Sequence, residues 1–279
     1  MIDYKRDLKQ QVATALHEDI GDQDITALLI APELEAMAQV ISREAAIICG
    51  QDWFNASFDQ IDSAINIEWL VNDGDAVEKN QVLCRITGKA RALLTAERTA
   101  LNFLQTLSAT ATLTRLYVDS LSTFNTRILD TRKTIPGMRL AQKYAVHCGG
   151  GHNHRIGLFD AILIKENHIA SSGSIKAAVS AAQDLQSGKM IEIEVEDLEQ
   201  LQLALDAGVD RVLLDNMSID MLSEAVSLTD HRAELEASGG IMLDNIKQIA
   251  ATGVDFISVG ALTKDIKALD LSMKILMNK

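Results

Sequence analysis

Aromatic residues are scarce in this chain of 279 residues, where Phe, Trp and Tyr together account for 4% of the sequence. Leu, Ile, Val and Ala must therefore form most of the hydrophobic core. Hydrophobic residues make up 47% of the chain and charged residues 23%, which is typical of a folded globular enzyme. The length allows one large domain or two smaller ones, and it is sufficient to bury a full core.

Cysteine is equally rare, with only Cys49, Cys84 and Cys148. These three are far apart and odd in number, and no CxxC pair occurs, so the pattern predicts neither a zinc knuckle nor a disulfide framework. The sequence has no run of about 18 apolar residues of the kind that crosses a bilayer. Its first residues also lack the apolar region of a secretory signal. We therefore expect a cytoplasmic protein with no membrane partner.

Positive charge is in short supply, because 26 Lys and Arg face 39 Asp and Glu and give a formal net charge of -13. This balance argues against a nucleic-acid or anionic-membrane binder, which needs a basic face. The segment 130–168 is the exception, since it holds six Lys/Arg, three acids and four of the six histidines. Packing cations together is costly. The segment therefore indicates an anionic ligand with more than one negative group, which arginine forks bind well.

The first third of the chain predicts a small β-rich domain with an N-terminal helix. Residues 36–90 favour strands and turns, and Asp73-Gly74 between apolar runs predicts a β-hairpin. From Thr95 to Ser122 there is no Gly or Pro, and apolar residues recur at intervals of three and four. This spacing predicts one long helix, with Arg98 near its N-terminus, where the helix dipole disfavours a cation.

The rest of the chain alternates strand and helix. The six strand segments are TRILDT (126–131), AILIKE (161–166), IEIEVE (191–196), RVLLDN (211–216), AELEAS (233–238) and FISVGA (256–261). Helical stretches such as GMRLAQKYAV and DLEQLQLALDAG lie between them. This alternation predicts parallel strands with right-handed crossovers. We favour a (β/α) barrel over an open doubly wound sheet, because no Gly-rich dinucleotide fingerprint follows the first strand.

Charged residues recur at the carboxyl ends of these strands, where barrel enzymes place their catalytic groups. Period-two alternation in IEIEVE directs Glu192, Glu194 and Glu196 into the barrel. Buried carboxylates need cations or a metal, and Lys165 and the nearby arginines supply the cations. Glu194 and Asp215 could also hold Mg²⁺. An internal salt-bridge network is the alternative interpretation of this set.

Two glycine-containing motifs follow the last two strands, Ser238-Gly239-Gly240-Ile241 and 258–263. Barrels often bind a phosphate there through the N–H groups of a helix start. A third glycine run, 148–155, reads CGGGHNHR. The spacing gives its two histidines no third zinc ligand, so a hydrogen-bonding role towards an anion is expected, with Cys148 as a small buried residue.

These motifs, taken in order, resemble those of the quinolinate phosphoribosyltransferase family. The resemblance covers nearly the whole chain and is carried by EDIGDQDIT (18–26), ERTALNFLQTLSATAT (97–112), DTRKTIPGMR (130–139), GGGHNHRIGLFDAILIKENH (149–168), EIEVED (192–197), LLDNM (213–217), ASGGI (237–241) and ISVGALT (257–263). It departs from the common pattern at His147, where an Arg is usual, and at Ala109, where a Gly is usual.

The resemblance implies an N-terminal α/β sandwich at 1–112, joined by a C-terminal helix at 266–279, and an incomplete (β/α) barrel at 113–265. It implies homodimers, with higher oligomers possible, in which one subunit's N-terminal domain closes the other's barrel. It further implies transfer of a phosphoribosyl group from phosphoribosyl pyrophosphate to quinolinate with decarboxylation, using Mg²⁺, to give nicotinate mononucleotide for NAD biosynthesis.

Site residues follow from the same resemblance. Lys133, Lys165, Glu194 and Asp215 would be the catalytic group, with Glu194 and Asp215 holding the ribose hydroxyls and Mg²⁺, partly through water or substrate. The quinolinate pocket would be lined by Thr131, Arg132, Lys133, His154, Arg155 and Lys165. Arg98 would come from the partner subunit, and the 5′-phosphate cradle would be Ser238, Gly239, Gly240 and Gly260.

Two alternatives stay open at this point. One is a related phosphoribosyltransferase that acts on nicotinate or another pyridine or base, for which fewer cations would suffice. The other is a catalytically silent sensor of a phosphate ligand on the same scaffold, since a fold by itself does not establish a function. The intact set of charged residues argues against the second.

Overall fold

The computed structural model describes residues 2–185 and 188–276, and the chain forms two compact units. The first comprises Met1–Arg115, Thr134–Gly150 and Leu262–Lys279, and the second comprises Leu116–Lys133 and Gly151–Ala261. The first unit contains the N-terminal part of the chain, and the second contains the six parallel strands. The segment 134–150 differs from expectation, because it belongs to the first unit and not to the barrel.

The helices, in chain order, are α1 (Leu8–Ile20), α2 (Gln51–Asp59), α3 (Ala90–Ser120), α4 (Arg139–Cys148), α5 (Glu166–Ser172), α6 (Ile175–Asp184), α7 (Leu198–Ala207), α8 (Ile219–Thr229), α9 (Ile246–Ala250) and α10 (Ala261–Lys264). The strands are β1 (Glu35–Ser42), β2 (Ala46–Ile47), β3 (Asn66–Trp69), β4 (Ala76–Val77), β5 (Val82–Lys89), β6 (Arg127–Leu129), β7 (Ile162–Ile164), β8 (Ile191–Val195), β9 (Arg211–Asp215), β10 (Glu234–Ser238), β11 (Phe256–Ser258) and β12 (Leu271–Leu276).

The first unit is built on an antiparallel sheet with strand order β12-β1-β5-β3. The strand β12 corrects the expectation of a C-terminal helix at 266–279. Its register runs from Met37 opposite Leu276 to Ser42 opposite Leu271. Leu271 is buried, and Met273 and Ile275 pack against the same core, so the apolar residues follow the period of two of a strand. Residues 277–279 lie outside the described part of the chain.

The turn predicted at Asp73-Gly74 is present, but the hairpin is not. The backbone N–H of Asp75 donates to the carbonyl of Asn72 over 3.1 Å, and Gly74 has a φ of 94°, which suits glycine. The flanking strands then separate, because β3 pairs with β5 and β4 pairs with β2. The sequence pattern identified the turn but not the pairing partners.

The long helix predicted at 95–122 is confirmed as α3, which begins five residues earlier than expected. Arg98 consequently lies in the third turn and not at the N-terminus, so the expected conflict with the helix dipole does not arise. Arg98 is exposed. The buried residues Leu101 and Leu104 of α3 belong to the core that also covers the sheet.

The helix α4 belongs to the first unit because of its two alanines, Ala141 and Ala145. Both are completely buried, and they lie four positions apart on one face. They form part of a core cluster that also contains Val12 and Trp53. Small side chains allow close approach of a helix to its neighbours. The sequence alone could not specify which neighbours these were.

The second unit contains a parallel sheet whose strands coincide with all six predicted segments. Its order is β6-β11-β10-β9-β8-β7. Along the chain, β6 is the first strand of this sheet and β11 is the last, and the two pair with each other. This pairing closes a barrel and does not occur in the strand order of a doubly wound sheet. The segment 151–153 pairs with the end of β6 through a single parallel bridge between Leu129 and His152. Among the described residues no ladder joins β6 to β7, so the barrel is incomplete.

Within the described ranges, no helix is both long enough and apolar enough to cross a membrane.

We predict that Phe54→Ala lowers the free energy of unfolding of the first unit by about 3–5 kcal/mol, because it leaves a cavity in a fully buried position. The two tryptophans of the sequence, Trp53 and Trp69, both belong to this unit, so their fluorescence in a urea titration reports its unfolding. Leu29→Ala removes a side chain that is 86% exposed and serves as the control, with an expected change within about 0.5 kcal/mol. Equal midpoints for the two variants would contradict the assignment of the core.

Candidate active site

A pocket of about 180 Å³ opens in the second unit at the carboxyl ends of the parallel strands. Its lining combines cations, carboxylates and hydroxyls with two leucines: Thr131, Arg132, Lys133, His154, Arg155, Leu163, Lys165, Glu194, Leu213, Glu236, Ser238 and Ser258. Eight of these residues belong to the set predicted from the sequence. Each of the six strands or the segment after it contributes, so the sheet brings together groups that are distant in the chain.

Arg155 presents a cationic group that the protein itself does not fully satisfy. Its Nε atom is buried and has no hydrogen-bond partner among the described residues, while one terminal nitrogen donates to the carbonyl of Ala161 over 3.4 Å. Burial lowers the pKa of Arg155, and the charge of Arg132 lowers it further. A buried donor without an acceptor costs free energy. An anion in this pocket would supply the missing acceptor.

Lys165 and Glu194 form an ion pair across neighbouring strands. Lys165 directly follows β7 and precedes α5, whose start is held by a hydrogen bond from the Lys165 backbone to Nδ1 of His168 over 3.0 Å. The side chain of Glu194 is 17% exposed. The pair faces the pocket, so one partner can exchange its contact for a ligand without either charge being buried alone.

Asp215 and the Gly239 turn lie side by side, because Asp215 is the register partner of Ser238. Asp215 accepts a hydrogen bond from Nδ2 of Asn216 over 2.8 Å. A Cβ atom on Gly239 would lie 2.1 Å from Oδ1 of Asn216, so only glycine fits here. The helix expected directly after Gly240 is absent, since a turn intervenes and α9 begins at Ile246. A phosphate would meet loop N–H groups here instead.

The glycine after β11 leaves room for a lysine of the pocket. A Cβ atom on Gly260 would lie 3.2 Å from Cδ of Lys133, which is closer than most side chains approach. Lys133 is itself exposed, and its backbone N–H donates to Oγ1 of Thr131 over 3.1 Å. The segment after β6 is therefore turned so that Thr131 and Lys133 both line the pocket.

The glycine run is held in place by Asp130, a residue that sequence analysis did not assign to the site. Asp130 is completely buried, and its carboxylate accepts hydrogen bonds from the backbone of His154 over 2.9 Å and from Nδ2 of Asn153 over 2.6 Å. Charge-assisted bonds of this kind are strong. Asp130 thereby connects the end of β6 to the segment that presents His154 and Arg155. The sequence feature that points to Asp130 as part of the site is its position directly before Thr131 and Arg132.

Beneath the pocket, His154 contacts two buried glutamates. Its Nε2 lies 2.8 Å from Oε2 of Glu192 and 3.6 Å from Oε2 of Glu236. Its Nδ1 accepts the backbone N–H of Arg155 over 2.8 Å, so Nε2 is the nitrogen that carries the proton when the ring is neutral. Both ring nitrogens are thus engaged within the protein. His154 lines the pocket, but a hydrogen bond to substrate would require one of these contacts to change.

The two glutamates have raised pKa values. Both are completely buried, and burial raises the pKa of each. For Glu236 the pKa rises to about 8, first through burial and then through the charge of Glu192. Two neighbouring carboxylates in a low-dielectric interior do not both ionise. Arg211 lies 3.7 Å from Glu236 and offsets part of the remaining negative charge.

Four lining residues were not predicted: Leu163, Leu213, Glu236 and Ser258. Each of the four precedes a predicted residue by two positions, as Leu163 precedes Lys165 and Ser258 precedes Gly260. The period of two that directs the predicted residues inward directs these inward as well, so the signal was present in the sequence. Glu196, by contrast, was expected to point inward, yet it lies beyond the end of β8 and is exposed.

Some members of the basic segment lie elsewhere. Arg139 and Lys143 are on α4 in the first unit, where Lys143 is completely buried and Nε of Arg139 donates to Oγ1 of Thr134 over 2.7 Å. Neither lines the pocket, and Arg98 also belongs to the first unit. His152 is exposed, whereas His154 is buried. The pocket therefore selects four of the six cations of the segment.

A partial (β/α) barrel with a cationic pocket at the carboxyl end of its strands defines a class of enzyme that acts on anionic substrates. Comparisons with known proteins make this specific. Residues 24–108 match the family description "Quinolinate phosphoribosyl transferase, N-terminal domain", and residues 110–274 match the corresponding C-terminal domain. Together these matches span most of the chain, which therefore belongs to the quinolinate phosphoribosyltransferase family.

Individual relatives agree with this assignment. The chain is 41% identical over 263 residues to a probable nicotinate-nucleotide pyrophosphorylase (carboxylating) of Bacillus subtilis, with 94% of this chain and 91% of the relative covered. It is 40% identical over 290 residues to a quinolinate phosphoribosyltransferase (decarboxylating) of Nicotiana tabacum, with 96% and 82% covered. The solved structure of a nicotinate-nucleotide pyrophosphorylase from Francisella tularensis superimposes with a TM-score of 0.96 at 50% identity, covering 99% and 98% of the two chains.

We predict that Glu236→Gln makes stability less dependent on pH. The folded protein holds the Glu236 proton up to a pKa of about 8, whereas the ordinary value is 4.5. The unfolded chain therefore releases this proton first, and wild-type stability falls as pH rises between these two values. Glutamine does not ionise, so its advantage over wild type should grow by up to about 1.4 kcal/mol per pH unit in this window.

Chemical denaturation of wild type and variant at several values between pH 5 and pH 8 measures this difference. Glu199→Gln alters an exposed carboxylate of α7 and is the matched control, for which we expect the wild-type profile. Parallel profiles for wild type and Glu236→Gln would contradict the raised pKa of Glu236.

Proposed function

We propose that this protein transfers the phosphoribosyl group of phosphoribosyl pyrophosphate to quinolinate and decarboxylates the product to nicotinate mononucleotide, as a step of NAD biosynthesis. The observation that carries the proposal is the pocket in which four cations converge from three segments, with Arg132 and Lys133 after β6, Arg155 after the glycine run and Lys165 after β7. Membership of the family supports the same activity.

The number of cations favours quinolinate over a base with one carboxylate. Quinolinate carries two neighbouring carboxylates on a planar pyridine ring, and arginine forks bind planar carboxylates through two parallel hydrogen bonds. The unsatisfied Nε of Arg155 gives one carboxylate a partner. Leu163 and Leu213 supply apolar surface for a ring face. A nicotinate site would leave part of this positive charge without a counterion.

Phosphoribosyl pyrophosphate would bind along the neighbouring strand ends. The half-buried carboxylates of Glu194 and Asp215 can accept hydrogen bonds from the ribose hydroxyls. Ser238, Gly239, Gly240 and Gly260 follow the last two strands of the barrel, which is where barrels often bind phosphate. Gly239 and Gly240 have φ values of 94° and 60°, and loop N–H groups in such turns bind anions.

The donors present also fit a divalent cation. Glu194 and Asp215 supply carboxylate oxygens, which Mg²⁺ prefers together with water and substrate phosphates. When bound, Mg²⁺ would neutralise charge on the pyrophosphate as it leaves. We therefore propose Glu194 and Asp215 as the residues that hold it, partly through water or substrate.

The residues of this chain account for the remaining chemistry. The pyridine nitrogen of quinolinate is unprotonated at neutral pH, so its attack on the anomeric carbon needs no general base. Positive charge develops on the ribose as the bond to pyrophosphate breaks, and the carboxylates of Glu194 and Asp215 stabilise it. Lys133 and Lys165 hold the anionic partners in place. The positive charge on the ring nitrogen then stabilises the electron pair that stays on the adjacent ring carbon when its carboxylate leaves as CO₂, and this carbon takes a proton from solvent to give nicotinate mononucleotide.

We further propose that the active unit is a homodimer and that Arg98 acts in the site of the partner subunit. Arg98 is exposed on α3, and a third arginine would complete the binding of two carboxylates. Higher oligomers are compatible with this arrangement. Neither nucleic acid nor membrane is a partner in the proposal, because the chain carries a net charge of -13. Its cytoplasmic location stays a prediction from the sequence.

One assay tests the proposed reaction directly. Quinolinate labelled in the carboxylate next to the ring nitrogen, phosphoribosyl pyrophosphate and Mg²⁺ should yield nicotinate mononucleotide and labelled CO₂ in equal amounts. Nicotinate in place of quinolinate is the control substrate and should give no comparable product. Faster turnover of nicotinate, or nucleotide formation without CO₂, would contradict the assignment.

We predict that Arg132→Ala and Lys165→Ala each lower kcat/KM for quinolinate by roughly 10- to 150-fold, because each removes a contact of about 1.5–3 kcal/mol to a charged group. The KM for quinolinate should rise in both, and kcat should fall. Lys176→Ala, at an exposed position on α6, is the matched control with expected wild-type kinetics. Near-normal kinetics of the two pocket variants would reject the pocket assignment.

The shared site is tested with mixed dimers. Arg98→Ala and Lys133→Ala homodimers should both be nearly inactive. Subunit exchange between them creates dimers with one intact site, and activity should return to about a quarter of wild type after random mixing. Mixing Arg98→Ala with Arg98→Ala,Lys133→Ala provides the control without an intact site. A flat mixing curve would show that Arg98 does not act across subunits.

A further inference from the structure

A second cluster of reactive side chains lies in the first unit, outside the proposed substrate pocket. The Sγ atoms of Cys49 and Cys148 and a carboxylate oxygen of Asp73 all lie within 4.8 Å of one another. The hydroxyl of Tyr144 donates to Oδ2 of Asp73 over 2.9 Å. The two cysteines are far apart in the sequence, so spacing alone gave no sign of this pair.

The backbones of both cysteines are fastened to α3. The N–H of Cys49 donates to Oγ of Ser108 over 2.9 Å, and that hydroxyl donates back to the Cys49 carbonyl over 3.1 Å. Cys148 is the last residue of α4, and the carbonyl of the following Gly149 accepts Nε of Arg115 over 3.0 Å. A Cβ atom on Gly149 would lie 2.6 Å from the Ala111 carbonyl oxygen. These contacts fix the backbone on both sides of the pair, so the fold itself holds the two thiols close to each other.

The geometry points to Cys49 and Cys148 as an oxidisable dithiol, a modification site that takes a small hydroperoxide and closes to an intrachain disulfide. An S–S bond of about 2.05 Å requires the sulfurs to approach by less than about 3 Å. Cys148 is half-buried and Cys49 is completely buried, so Cys148 is the sulfur that a small oxidant reaches. The inference stands independently of the proposed reaction.

The electrostatics of the cluster assign the two roles. The neighbouring Cys49 thiol, and to a smaller degree the Tyr144 hydroxyl, lower the pKa of Cys148, whereas burial raises the pKa of Cys49 well above its usual value. Tyr144 is itself oriented by Oδ2 of Asp73 at 2.9 Å, and Oδ1 of Asp73 accepts the N–H groups of Gly50 and Gln51. A lowered pKa marks a nucleophilic thiol. Cys148 is the attacking residue and Cys49 the resolving one.

The reaction balances with one hydroperoxide. The Cys148 thiolate attacks the O–O bond, an S–O bond forms, and the leaving alkoxide or hydroxide takes a proton. The Cys49 sulfur then attacks the sulfenic sulfur, the S–S bond forms, and the hydroxyl group leaves with the Cys49 proton as water. Two thiols are oxidised, one hydroperoxide is reduced to alcohol or water, and a second water is released.

The third cysteine provides an internal control. Cys84 is completely buried in the other core cluster of the first unit, and burial raises its pKa to about 12. It should react with neither peroxide nor the other two thiols while the protein is folded. Tyr144→Phe is the second informative variant, because it removes the hydroxyl that lowers the pKa of Cys148 and keeps the ring that packs against Trp53.

The experiment treats the full chain with a small excess of hydrogen peroxide and maps non-reduced peptides by mass spectrometry. We expect a single cross-link between Cys49 and Cys148, reversed by dithiothreitol, in wild type and equally fast in Cys84→Ser. Cys148→Ser should leave Cys49 unmodified, and Tyr144→Phe should slow cross-linking about three-fold or more. Overoxidation of Cys148 without a cross-link, or a cross-link to Cys84, would overturn the proposal. So would an unchanged rate in Tyr144→Phe.

Discussion

Desolvation of charge is the constraint on which the barrel depends. Glu192 and Glu236 are completely buried inside the parallel sheet, where an isolated carboxylate would cost several kcal/mol. Burial raises the pKa of both carboxyls, and His154 and Arg211 lie beside them. The cation of Arg211 also stacks on the ring of Phe256 at 4.0 Å.

The proposed substrate pocket is built directly on this layer. His154 connects Glu192 below to the glycine run above, and Asp130 fastens the same run to the end of β6. The adjacent Arg155 is thereby fixed with its Nε buried and without an acceptor. Free energy spent in orienting and desolvating this cation is recovered when an anion binds. The same strands carry both the buried polar residues and the residues that line the pocket, as β8 carries Glu192 and Glu194. The polar interior and the binding site are therefore continuous.

The first unit relies on a different principle, which is close packing of small residues. Ala141 and Ala145 bring α4 against its neighbours, and Gly149 leaves no room for a Cβ atom beside α3. This packing also brings Cys148 to Cys49. Two residues separated by almost a hundred positions become neighbours because short side chains on α4 permit a close approach. The dithiol is a consequence of the same contacts that place α4 in this unit.

Most elements could be predicted from the sequence, because their signals are local. All six barrel strands, the long α3 and the turn at Asp73-Gly74 follow from periodicity and turn chemistry. Eight of the pocket residues were also expected, some because parallel strands bring their carboxyl ends together and the rest from the resemblance of the motifs to the family. The same alternation would have identified Glu236 had it been applied to β10 as it was to β8.

The amino-acid sequence by itself determined the period of each strand and helix, and the family to which its motifs belong. The tertiary structure alone decided which elements pair. It turned the expected C-terminal helix into β12, separated the two strands of the expected hairpin, and moved α4 with Arg139 and Lys143 out of the barrel unit. It also brought Cys49 to Cys148. Such pairings depend on surfaces that exist only after distant segments have packed, and no local pattern encodes them.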